Sequence, residues 1–294
     1  MTFLTAQTSL AKRLHARLDA LMPEPAGAQA SVIEAMRYAV MGGGKRVRPF
    51  LLVETARMLG HADEGALTAG AALECLHTYS LVHDDLPCMD DDDMRRGRAT
   101  VHKAFDEMTA VLAGDGLLTL AFELMARDEV HPDPAVRIAL VSDLAKASGS
   151  LGMIGGQVMD MTVSETDRSE KTITDLQAMK TGALIEFACV AGARLAGADA
   201  NTTDIMRAYA QDLGLAFQIK DDILDAEGDA EIMGKAARKD NALGKATFVS
   251  ILGLEAAREK ANKLGEHAKA RLAQFGHEAE ILRDTVDFIL SRDK

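Results

Sequence analysis

Residues 205–225 read IMRAYAQDLGLAFQIKDDILD, an apolar stretch that ends in three aspartates. Ile205, Tyr209, Leu213, Ala216, Phe217, Ile223 and Leu224 recur at the three- and four-residue intervals of one helix face. Gln218, Asp221 and Asp225 follow i, i+3, i+7 and share a stripe of that helix. Carboxylates one turn apart repel unless a cation bridges them. Their hard oxygens suit Mg2+, which keeps several waters and takes substrate phosphates as further ligands. A solvated acidic face explains one DDxxD in isolation equally well, so the reading depends on what accompanies it.

A second acidic stretch accompanies it. HDDLPCMDDDDMRRGR, residues 83–98, holds six aspartates and then three arginines. The preceding helix carries His77, Ser80 and Asp84 at i, i+3, i+7, and should end near Pro87. Asp90 then stands in DDxxxxD spacing from Asp84 and Asp85. A calcium loop is excluded: counted from Asp90, its fifth and sixth positions are Met94 and Arg95, where Asp/Asn and Gly are required.

Cations come next. Gly42-Gly-Gly-Lys45-Arg46-Val-Arg48-Pro49 is a glycine turn with three basic side chains ahead of a proline-started helix. Backbone N–H groups, guanidinium forks and a lysine point charge favour an oxyanion such as phosphate. The turn is not a P-loop, and alone it is weak. Lys180-Thr181 and Lys235 add isolated cations, and a lysine in such a place is more often a solvated surface residue. Two magnesium-type carboxylate clusters on apolar helices, with several cationic sites, suit a substrate made of diphosphate and hydrocarbon.

The rest of the chain sets the frame. With 294 residues, 48% hydrophobic and 27% charged, it can bury a sizeable core. Aromatics are only 4% and Trp is absent, a balance that favours helices over strands. Net charge of −12 argues against a nucleic-acid binder. Three cysteines without CxxC spacing imply neither a disulfide framework nor a zinc knuckle, and a reducing cytoplasm is the simplest location. The N-terminal segment is amphipathic rather than a signal peptide. The apolar run at 182–197 is interrupted by Glu186 and Arg194, so no membrane span is expected. Periodicity predicts helices over 9–21, 30–41, 49–59, 64–86, 99–105, 110–127, 134–150, 173–195, 203–226, 245–275 and 278–291. No long linker or repeat divides them, so 1–294 reads as one all-α domain.

The motifs resemble those of the trans-isoprenyl diphosphate synthases, and most closely the bacterial farnesyl diphosphate synthases. GGGKRVRP (42–49), ECLHTYSLVHDDLPCMDDDDMRRGRATVHKAF (74–105), LAGDGLLTLAF (112–122), GGQVMD (155–160), MKTGALI (179–185), FQIKDDILD (217–225) and LGKATF (243–248) run in the family's order. The resemblance covers essentially the whole chain. It implies a homodimeric helical bundle with a central cavity and the two aspartate motifs facing each other across it. Asp84, Asp90 and Asp221 would be principal ligands of three Mg2+ ions, with Mn2+ as a substitute. Asp85 and Asp225 would be supporting or water-mediated ligands. Arg95, Lys180 and Lys235, with Thr181 and Gln218 nearby, would grip the allylic diphosphate. Lys45, Arg48, His77 and Arg96 would hold isopentenyl diphosphate.

The chemistry so implied is ionisation of the allylic carbon–oxygen bond, attack by the double bond of isopentenyl diphosphate on the carbocation, and loss of a proton. Charge neutralisation drives the first step, and an apolar cavity keeps the cation from water. The family gives the base role to the departing diphosphate, so no protein base is nominated. Tyr79 lies five residues before Asp84, about 7.5 Å along a helix. Together with Ser80 it would limit product length, Tyr79 resembling the plug of the C15 enzymes. C20 or C10 products are the alternatives. A class I terpene cyclase would lack the isopentenyl site, and a degenerate partner subunit would have lost the motifs. Lys220, and an end (FILSRDK) without the arginine-rich tail common in the family, are small departures.

Overall fold

The computed structural model describes residues 2–61, 64–162, 169–232 and 247–292. The described chain is almost entirely helical, as expected: α1 Phe3–Leu21, α2 Ala30–Met41, α3 Val47–Met58 and α4 Glu64–Asp84 come first. A two-stranded antiparallel ribbon follows, β1 Met94–Arg95 and β2 Arg98–Ala99, with Arg95 opposite Arg98. Then come α5 Val101–Ala104, α6 Glu107–Ala126, α7 Pro134–Ser148, α8 Met153–Thr162, α9 Glu170–Gln177, α10 Ala183–Leu195 and α11 Ala200–Ile232. The last are α12 Phe248–Leu252, α13 Leu254–Arg271 and α14 Glu280–Ser291. The helices group into two compact units, Phe3–Ser142 with Arg194–Gly197, and Asp143–Ala193 with Ala198–Lys294.

In the first unit α4 is the central helix. Its apolar and small residues run all round (Ala66, Leu67, Ala69, Ala71, Ala72, Leu73, Cys75, Leu76), and all are buried. Such a helix has no solvent stripe and needs neighbours on every side, which α1, α3 and α6 supply. The α6 N-terminus is fixed by Asp106, whose carboxylate accepts the Thr109 N–H at 2.7 Å. α6 is long and apolar enough to cross a membrane, but half of it is buried inside the protein, with Leu117, Leu120, Ala121 and Leu124 in the core. Its other face exposes Met108, Val111 and Leu112.

In the second unit α11 is the axis. Ile219 and Ile223 pack with Ile173 of α9, Phe248 of α12, and Ala257 and Ala261 of α13. The buried Tyr209 hydroxyl donates to the Leu282 carbonyl at 2.9 Å, so its polar end is satisfied at the junction with α14.

The structure departs from the predicted elements at several points, among them three. α1 starts at Phe3, six residues early, because Phe3 is buried edge-on against Phe50 (5.2 Å between centroids). The expected helix over 245–275 breaks at Gly253 (φ 81°), which separates α12 from α13; residues 245 and 246 lie outside the described ones. α8 carries two adjacent glycines and was not predicted; the reason for it lies in the site.

Candidate active site

The turn after α4 explains the DDxxxxD spacing. Asp84 is the last residue of α4, and the backbone N–H of Asp90 returns to the Asp84 carbonyl at 2.8 Å. Met89 and Asp91 both donate to the Leu86 carbonyl, closing the loop tightly. The intervening residues thus bring the backbone of Asp90 beside that of Asp84. Asp84 is half-buried and Asp90 exposed, so both carboxylates keep access to solvent and ions.

Asp85 points elsewhere. It is buried, and Arg95 grips its Oδ1 with Nε at 2.7 Å and Nη2 at 2.6 Å. Burial raises its pKa and the paired guanidinium opposes the rise. The Asp85–Arg95 pair lines a cleft with Tyr38, Thr78 and Val82, on the α4 face next to that of His77 and Asp84. Ser80 Oγ donates to the His77 carbonyl at 2.9 Å, and Tyr79 is buried edge-on to His83 at 5.8 Å.

Four residues expected to hold one anion are brought together in the same unit. Arg48 Nη1 lies 3.4 Å from His77 Nε2, and the Arg96 guanidinium donates to the Gly43 carbonyl of the glycine turn that carries Lys45. Gly44 in that turn lies at φ 131°, a backbone conformation that side-chain-bearing residues rarely adopt, which is what requires glycine there. The third cation of the turn has another task. Arg46 is buried, bonded to Glu74 and the Val40 carbonyl, and sits in the left-handed region at φ 49°. Asp91 (φ 51°) and Arg96 (φ 54°) share that conformation. Such backbone costs on the order of 1–3 kcal/mol per residue and persists where surrounding contacts enforce it.

His77 keeps some solvent contact, yet its pKa is driven well below the usual histidine range, first by desolvation and then by Arg48 and Arg96. In the folded protein it is therefore neutral, while in the unfolded chain it takes up a proton below pH 6.5. Protonation then favours unfolding, so this contribution to stability is complete above pH 6.5 and declines below it. His77→Gln should flatten the fall of the thermal midpoint between pH 6.5 and 5, measured without ligand. An unchanged slope would refute the assignment.

In the second unit, the DDxxD stripe divides as its helix positions dictate. Asp221 is partly exposed and Asp225 exposed, while Asp222 is buried. Asp222 accepts the Phe248 N–H at 2.7 Å and the Gln218 amide at 3.1 Å, so it ties α11 to the start of α12. Burial nonetheless lifts its pKa to about 6, opposed by those two hydrogen bonds. Gln218 also meets Thr181 at 3.1 Å, joining two residues expected near one diphosphate. Asp221 is paired with Arg292. Lys235 lies outside the described residues.

Lys180 stands in a π-helical turn, Ala178–Gly182, and its ammonium pairs with Asp160 of α8 at 2.6 Å. Asp160 and Arg292 escaped the sequence reading. The GGQVMD motif of 155–160 was one signal for Asp160; nothing local marks Arg292. The glycines permit the pairing. A Cβ on Gly156 would fall 2.2 Å from the Lys180 backbone nitrogen and 2.6 Å from its Cα. Alanine gains about 1 kcal/mol of helix propensity over glycine, but overpacking against backbone costs up to about 3 kcal/mol. Gly156→Ala should therefore lose a net ~2 kcal/mol in denaturant melts. A neutral or stabilising effect would show that α8 can shift away from the π turn.

Each unit offers carboxylate oxygen by itself, Asp84 and Asp90 in the first and Asp221 and Asp225 in the second, and such donors fit a hard divalent cation such as Mg2+ and not a thiolate or imidazole metal. Among the described residues a further group, Asp91, Asp93 and His102, brings ligand atoms within 4.8 Å of one another.

Comparison with known proteins agrees with this inventory. The profile of the polyprenyl synthetase family matches residues 29–284. A farnesyl diphosphate synthase of Bacillus subtilis (strain 168) is 41% identical over 269 residues, spanning 90% of this chain and 89% of that protein. A chloroplastic geranylgeranyl pyrophosphate synthase of Capsicum annuum is 42% identical over 262 residues, 88% of this chain and 71% of its own. The crystal structure of an FPP/GFPP synthase from Zymomonas mobilis superposes with a TM-score of 0.90 at 45% identity, covering 98% of this chain and 99% of that one.

Proposed function

The chain belongs to the polyprenyl synthetase family, and from that premise we infer that it is a magnesium-dependent trans-prenyltransferase of the farnesyl diphosphate synthase type. It condenses isopentenyl diphosphate head-to-tail with dimethylallyl or geranyl diphosphate, releasing diphosphate. The observation that carries the reading is the α4 terminus. There one turn pairs Asp84 with Asp90 at the backbone, and Arg95 and Arg96 follow on the β1–β2 ribbon.

Each side chain then has a task. Asp84, Asp90 and Asp221 hold magnesium, three ions in all, with Asp225 supporting them; Mn2+ can replace it. Magnesium held there would supply positive charge to neutralise the leaving diphosphate. Asp85 acts through Arg95, whose guanidinium it orients toward the allylic diphosphate. Asp160 does the same for Lys180. Thr181, Gln218 and Lys235 complete that anion site. Lys45, Arg48, His77 and Arg96 bind isopentenyl diphosphate, and the neutral His77 does so as a hydrogen-bonding group, not as a charge. No protein base is required, since the departing diphosphate takes the proton.

The partners are small isoprenoid diphosphates. We propose a homodimer that covers Met108, Val111 and Leu112 of α6, and a cytoplasmic location consistent with three free cysteines. Buried Tyr79 favours C15 over the C20 product named for the Capsicum relative. The test is incubation with Mg2+, isopentenyl diphosphate and geranyl diphosphate, followed by extraction and chromatography. Farnesyl diphosphate as the main product is expected. A cyclised product, or no use of isopentenyl diphosphate, would overturn the reading.

A further inference from the structure

Arg292 follows the last helix, α14, and its backbone N–H still donates to the Phe288 carbonyl at 3.1 Å. Its side chain turns inward and is only 5% exposed, whereas that of its partner Asp221 is 35% exposed. The guanidinium pairs with Asp221 Oδ1, donates from Nη2 to the Phe217 carbonyl at 3.1 Å, and lies 4.2 Å from the centre of the Phe217 ring. Its Nε is buried without a hydrogen-bond partner. Burying a guanidinium with one donor unmet is unfavourable unless an anion compensates. The compensation is concentrated on Asp221, the first carboxylate of a motif that places Asp222 beside it and Asp225 one turn on.

We propose that Arg292 is a positioning residue of the second aspartate motif. It neutralises Asp221 and ties its carboxylate to the Phe217 carbonyl one turn back on α11 before metal arrives, and it competes with the metal for the same carboxylate. Metal binding then exchanges one cation for another and releases the C-terminal segment from Phe217 and Asp221. A single arginine at the end of α14 is thus coupled to metal loading. The inference rests on the reading of Asp221 as a metal ligand.

Thermal melts of the full chain, with and without Mg2+ plus inorganic diphosphate, test both ideas separately. Arg292→Gln should lower the metal-free midpoint by about 2–4 °C, the scale expected for loss of one buried ion pair in a unit of this size. Removing the competitor should also make the ligand-induced rise larger in the variant than in the wild type. Arg292→Lys, which keeps the charge and loses the flat stacked fork, should fall between them. A rise equal to or smaller than that of the wild type overturns the inference. It would mean that arginine and metal share Asp221 or never meet. Asp221→Asn separates the premise: if the wild type shows no rise, or this variant keeps the full rise, Asp221 is not a ligand and the inference falls with it.

Discussion

Asparagine in place of Asp84 is expected to lower kcat by about 10³-fold and to leave the fold unchanged. The factor corresponds to roughly 4 kcal/mol of transition-state stabilisation, the scale for removing one preorganised electrostatic group from a charge-developing step. Asp84 holds the turn through its backbone carbonyl, which asparagine retains. The side chain is half-buried at a helix end, so the melt should shift by no more than about 0.5 kcal/mol. Asp85→Asn should behave differently. It removes the anion from the buried end of the Asp85–Arg95 pair and should cost about 1–2 kcal/mol, discounted because a third of Arg95 remains in water. Steady-state kinetics and melts on both variants separate the roles. Equal stability losses, or an Asp84→Asn enzyme within tenfold of wild type, would contradict the assignment.

Tyr79→Ala is expected to shift the product from C15 to C20 or longer. The ring is 5% exposed and packs edge-on to His83 on the helix that ends in Asp84. Removing it opens space worth several carbons of chain, at a cost of about 3 kcal/mol from the cavity left behind. Burial and the nearby Asp84 carboxylate push the phenol pKa up to about 12, so the hydroxyl stays neutral and volume is what matters. Tyr79→Phe should consequently keep C15. Product chromatography on both folded variants decides the point: a C15 profile from Tyr79→Ala would assign the ring to the core alone.

Where side-chain period carried the information, the sequence was enough. The α11 stripe of Gln218, Asp221 and Asp225, the α4 series ending at Asp84, and the helical class of the chain all follow from 3.6-residue spacing and composition. Asp222 illustrates the limit. It lies off the Gln218–Asp221–Asp225 stripe, and only the structure shows that it is buried and accepts the Phe248 N–H. Arg46 is similar, written as an anion-binding cation and used instead to close on Glu74.

Helix α8 was hidden by the rule that adjacent glycines break helices. That rule measures local entropy, and here the Lys180 π turn pressed against Gly156 outweighs it. The pairing of Asp160 with Lys180 spans 20 residues and that of Arg292 with Asp221 spans 71, distances at which no local pattern exists. Composition and period thus determined which elements form and which residue types carry the chemistry. Tertiary structure alone decided which carboxylates are exposed and which are buried or paired with a distant cation. Desolvation and ion pairing depend on what lies within a few ångströms in space, and chain order does not encode that neighbourhood.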